Sequence, residues 1–84
     1  MRLIQHLQEL APALEKERFP GARVTTLDGL RVDFNDRWGL VMACESSASL
    51  IARFEGLTSE ALGRIQQEFK VLLLEVEPYL VLPF

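Results

Sequence analysis

Cys44-Glu45-Ser46-Ser47 gathers the side chains of this sequence best suited to small-ligand chemistry: its only cysteine, a carboxylate and two adjacent hydroxyls. They lie within Trp38 to Gly56, WGLVMACESSASLIARFEG, which has the form of an apolar strand, a small polar turn and a second apolar strand. Ser-rich turns between strands are common, so the plain reading is a hairpin loop. A hydroxyl-rich tight turn can also present donors to an anion. Nucleophilic work by Cys44 would require a nearby base, and the adjacent Glu45 disfavours a thiolate. Met42 and Cys44 therefore read as ordinary apolar residues of a strand face.

The rest of the composition narrows the possibilities. Eighty-four residues suffice for one small domain, 1–84, with one core and no cleft between domains. A net charge of −3 gives no general attraction for nucleic acid or an anionic membrane. One cysteine excludes an internal disulfide, and one histidine excludes the usual zinc constellations. His6 is accordingly a helix-surface residue. No signal-peptide pattern or membrane-length apolar run is present, and the expected location is the cytoplasm.

Leu3, Leu7, Leu10 and Leu14 form one helical stripe over Met1 to Arg18, with Pro12 predicted to kink or restart the helix. Phe19-Pro20-Gly21 ends it. Ala22 to Leu27 is rich in β-branched residues, Asp28-Gly29 signals a hairpin turn, and Leu30 to Phe34 alternates apolar and charged side chains. Asn35-Asp36-Arg37 makes the next turn. In the strands that follow, Val41 and Ala43 share one face while Trp38, Leu40, Met42 and Cys44 share the other. Leu50, Ala52 and Phe54 then oppose Ile51, Arg53 and Glu55. Thr58 is a natural N-cap for a second helix with Leu62, Ile65, Phe69, Leu72 and Val76 facing the core, ended by Pro78. The apolar tail Tyr79 to Phe84 should pack back on the domain or on a neighbour.

This order predicts an α+β two-layer sandwich, a four-stranded antiparallel sheet with two helices on one face. Val32, Phe34, Val41, Ala43, Leu50 and Phe54 should lie beneath the helices. Trp38, Leu40, Met42 and Ile51 should form an apolar patch on the opposite face, where weak self-association or a partner is expected.

The run ARVTTLDGLRVDFNDRWGLV, followed by LIARFEG, SEALGRIQQEF and the ending LPF, closely resembles the C-terminal domain, domain four, of bacterial phosphomannomutase/phosphoglucomutase in the α-D-phosphohexomutase superfamily. The likeness spans about Phe19 to Phe84; the leading helix matches only in character. The resemblance implies a fold of the TATA-box-binding-protein-like class. It also implies a place as the last of four domains, swinging over a cleft and meeting the other domains. The phosphoserine nucleophile, the sugar-recognition loop and the aspartates that bind magnesium belong to the other three, so no catalytic residue or cofactor is expected in this chain. The family's loop, Arg, any residue, Ser, Asn, Thr, any residue, Pro, holds the phosphate of the phosphosugar that is not being transferred. A guanidinium fork with hydroxyl, amide and backbone donors suits that task.

Here the pattern is degenerate. Met42 stands at the arginine position, Cys44 at the serine, Glu45 at the asparagine, Ser46 at the threonine and Ala48 at the proline, with Ser47 between. Only Ser46 keeps its chemistry. The fixed positive charge is gone and Glu45 adds a negative one, which opposes a phosphate dianion by several kcal/mol in a partly desolvated turn. Two readings stand: a domain of a phosphohexomutase with a degenerate phosphate loop, or a free-standing, non-catalytic binding module on the same fold.

Overall fold

A computed structural model describes residues 2–44, 46 and 49–84. Helix α1 spans Arg2–Ala13 and passes into a π-helical turn, Leu14–Arg18; strands β1 to β4 are Arg23–Thr25, Leu30–Asp33, Arg37–Ala43 and Leu50–Gly56; helix α2 spans Ser59–Val76. The strands form an antiparallel meander in the order β1-β2-β3-β4. Both helices cover one face, giving the expected α+β layers.

The core follows the periodicities. Leu30, Val32, Val41 and Leu50 are buried beneath Leu3, Ile4, Leu7, Ala11 and Leu14 of the first helical segment and Ile65, Phe69, Leu72 and Leu73 of α2. Phe34, Ala43 and Phe54 are only partly buried against that cluster. The α1 stripe is centred one position away from the expected leucines: Ile4 and Ala11 are inside, and Leu10 is half-buried at its edge. Pro12 lies within α1 on the exposed side and does not break it. Widening comes afterwards, where the Phe19 N–H donates to the Leu14 carbonyl, an i to i+5 bond.

Three local expectations change. Thr25 pairs with Arg31, so the last β1–β2 pair encloses five residues, four of them between the strands, and the turn is not a two-residue Asp28-Gly29 hairpin. Gly29 serves close approach: a Cβ there would fall 2.1 Å from the Val41 carbonyl oxygen. The Gln8 side-chain amide of α1 holds the connection by donating to the Thr26 and Gly29 carbonyls, each at 3.1 Å. Arg37 is no turn residue. It opens β3 and is buried, with Nε donating to Glu68 at 2.9 Å, a nitrogen donating to Asp36 at 2.7 Å and the guanidinium 3.9 Å above the Phe34 ring. Phe19, beyond the amphipathic stripe, is a central core residue stacked on Phe69.

Helix α2 begins as its sequence indicates, the Thr58 hydroxyl accepting from the Ala61 N–H at 3.0 Å. It ends at Val76, before Pro78. The tail turns back so that Leu80, Leu82 and Phe84 pack on the core while Tyr79 and Val81 face solvent. Among the described residues no helix is long and apolar enough to cross a membrane.

Candidate phosphate-loop site

The β3–β4 hairpin positions the loop. Its ladder is continuous from Arg37 opposite Gly56 to Ala43 opposite Leu50, and is extended by the Cys44 N–H donating to the Ser49 carbonyl at 3.0 Å. Side chains two apart on a strand share a face, so Met42 and Cys44 emerge together on the side away from the helices. Met42 is half-buried opposite Ile51. Cys44 is half-buried, with its Sγ 3.3 Å from the Oγ of exposed Ser46. The structure thus brings together Met42, Cys44 and Ser46 of the predicted set; Glu45, Ser47 and Ala48 lie outside the described residues.

The expected outer patch has its predicted composition but is not purely apolar. Trp38, Leu40, Met42 and Ile51 are each half-buried on this face. Arg31 and Arg53 flank Leu40 from either side, since both pair with it across the ladders. Arg31 donates to Asp33 through Nε at 2.8 Å and a second nitrogen at 3.0 Å, and its guanidinium lies 4.2 Å over the Trp38 ring. The hydrogen bond to Asp33 raises its pKa above the ordinary arginine value, outweighing the loss of solvation. Its charge is therefore fixed but directed at a carboxylate. Arg53 is the exposed cation of this row. These two arginines were legible from the period-two alternation, which already set Arg53 beside Ile51. Their relation to the loop required the register.

Among the described residues no group of three or more His, Cys, Asp or Glu side chains is placed to hold a metal ion. What the arrangement offers is a thiol and a hydroxyl at the end of a hairpin, above a mixed apolar and guanidinium face.

A phosphomannomutase/phosphoglucomutase of Pseudomonas putida is 48% identical over 63 residues, which is 75% of this chain and 14% of the relative. A phosphoglucomutase of Neisseria meningitidis is 44% identical over 80 residues, covering 94% of this chain and 16% of the relative. A crystal structure of a phosphoglucomutase/phosphomannomutase family protein from Burkholderia thailandensis superposes with a TM-score of 0.81 at 37% identity, over 99% of this chain and 17% of that one. The chain belongs to the phosphomannomutase/phosphoglucomutase family. No protein-family model matches it. The phosphohexomutase relatives are far longer, and this chain spans 14% to 16% of their length. The likeness to a solved family member extends over α1 as well as the sheet and α2, which the sequence motifs alone did not reach.

Proposed function

We propose that this chain is the C-terminal domain of a phosphomannomutase/phosphoglucomutase-like enzyme, one that interconverts hexose 1-phosphate and hexose 6-phosphate in the cytoplasm. Its β3–β4 loop is a degenerate form of the phosphate grip. The chain carries no catalytic residue, and the magnesium of such an enzyme is held by another domain. The observation that carries this reading is Met42: at the arginine position of the family loop stands a half-buried thioether opposite Ile51, with no charge to offer a phosphate. Ser46 retains a hydroxyl, but the hydroxyl lies against the Cys44 sulfur. The partners are the other domains of the enzyme, met through the face of Trp38, Leu40, Met42 and Ile51.

The test is a titration of the isolated chain with glucose 1-phosphate, mannose 6-phosphate and inorganic phosphate, following amide resonances of residues 44–49. The native loop gives no saturable shift. A chain carrying Met42→Arg, Cys44→Ser, Glu45→Asn, Ser46→Thr and Ala48→Pro regains weak binding without turnover, since each charge-assisted hydrogen bond contributes about 1.5–3 kcal/mol before ordering costs. Saturable phosphosugar binding by the native loop would overturn this reading of Met42 and Glu45.

A free-standing binding module is the second reading, favoured by the half-buried outer face. It calls for a partner that protects Trp38. The enzyme reading calls for that protection to come from the other domains of the same polypeptide. Fluorescence quenching of Trp38 in the isolated chain and in the full-length parent separates the two.

A further inference from the structure

The two edges of the sheet are finished very differently. β1 is three residues long, and its central Val24 N–H is taken by the Glu15 carboxylate at 3.4 Å. β4 is seven residues long, unbulged and without proline, and its only charged side chains are Arg53 and Glu55, of opposite sign and both on the outer face. Its outward backbone groups follow from the ladder. The Leu57 N–H to Asp36 carbonyl bond at 2.9 Å and the Cys44 to Ser49 bond at 3.0 Å bracket the β3–β4 pairing. Antiparallel alternation then turns Ile51, Arg53 and Glu55 toward β3, and Ala52 and Phe54 away from it. Among the described residues no group of the chain hydrogen-bonds the Ala52 or Phe54 backbone on that side. The tail packs on the core beside this edge without pairing to it.

We infer that the β4 edge is a pairing surface for a second copy of this chain, joined antiparallel about a two-fold axis at Phe54. Side-chain chemistry selects this occupant and register. With Phe54 opposite Phe54 of the copy, Ala52 meets Gly56 and the outward N–H and C=O groups of both strands are matched. Arg53 then faces Glu55 of the copy, twice by symmetry, in the closely spaced non-hydrogen-bonded positions where charged side chains interact most. On the other face, the half-buried Phe54 and Phe84 rings, 4.7 Å apart, meet their counterparts and continue the apolar layer from one copy to the next. Alternating Arg53 and Glu55 on one edge strand are thus self-complementary, as an isologous contact requires. This inference does not depend on whether the loop binds phosphate.

Sedimentation equilibrium up to millimolar chain concentration, with amide exchange at Ala52 and Phe54, tests it. A concentration-dependent dimer with slowed exchange at those two amides is expected. Arg53→Glu and Glu55→Arg each replace two attractive contacts by two repulsive ones and weaken the dimer roughly tenfold, and the double reversal restores it. Ala52→Pro removes an outward N–H that the monomer does not use, so it abolishes the dimer while the circular dichroism of the fold is retained. Should that variant unfold, the charge-reversal set decides by itself. A strict monomer, or a dimer indifferent to both single reversals, overturns the proposal, as does protection confined to the Trp38 and Leu40 face.

Discussion

Two residues show how closely the helices are fitted to the sheet. Gly39 sits in β3 beneath α2, where a Cβ would fall 2.6 Å from Phe69, 2.9 Å from Phe54 and 3.0 Å from Ile65. Neither the two rings nor the branched side chain can give way freely in a packed core, so Gly39→Ala is expected to cost about 1–3 kcal/mol. Thermal unfolding of the variant measures it. Arg37 sits nearby in a pocket of opposite charge. Burial disfavours its guanidinium, but the hydrogen bonds it donates to Glu68 and Asp36 outweigh that and raise its pKa above the usual arginine value. The guanidinium therefore stays charged at any pH that leaves the fold intact. Arg37→Met keeps the aliphatic stem but leaves Glu68 without its partner, and is expected to cost about 2–3 kcal/mol because the partly exposed carboxylates can still be hydrated. The sequence places Arg37 beside two turn residues, and nothing local distinguishes a buried arginine from a loop arginine there. Its partner Glu68 is in another element. Met42 and Cys44, by contrast, are legible by alternation alone.

At the scale of elements, local signals succeed where one segment decides its own conformation. Thr58 is such a case: its hydroxyl satisfies the Ala61 N–H whatever the sheet does, and Thr58→Ala should cost about 1 kcal/mol in chemical denaturation. The β1–β2 connection is the opposite case. Asp28-Gly29 carries the dipeptide signal of a two-residue hairpin, yet the chain makes a longer connection because Gly29 is pressed against β3 and Gln8 of α1 binds two of its carbonyls. Tertiary contact overrides turn propensity there. Gln8→Ala should therefore speed amide exchange at residues 26–30 while leaving exchange in β3 unchanged, since its two bonds end on that connection. The π-helical turn is equally non-local in meaning. It carries Phe19 into the core, and Arg18 at its end pairs with Glu75 of α2, binding the two helical segments together outside the sheet.

The whole molecule is joined by its aromatic residues. Helix α1 packs on β1, β2 and β3, whereas α2 packs on β3 and β4, so the core has two sectors sharing one strand. The five phenylalanines of the chain run through both as one series of ring contacts. Phe34 meets Phe19 edge to face at 6.2 Å, Phe19 stacks on Phe69 at 6.3 Å, Phe69 meets Phe54 at 5.4 Å, and Phe54 meets Phe84 at 4.7 Å. Phe19 and Phe69 are fully buried, while Phe34, Phe54 and Phe84 at the flanks remain partly exposed. The cost of truncation should fall outward along this series. Phe19→Ala and Phe69→Ala each leave a cavity in the shared core and should cost about 3–5 kcal/mol, a large share of the roughly 5–10 kcal/mol that holds a domain of this size together. Phe84→Ala removes a partly exposed ring and should cost only about 1–2 kcal/mol. Because Phe84 and Phe54 touch, their double variant should be less destabilised than the sum of the singles by about 0.5–1.5 kcal/mol. Phe84 and Phe34 share no ring contact, so that double variant should be additive within about 0.5 kcal/mol. Chemical denaturation of the singles and the two doubles distinguishes a continuous aromatic series from five independent apolar burials: equal coupling in both pairs would mean that adjacency along the series has no energetic meaning.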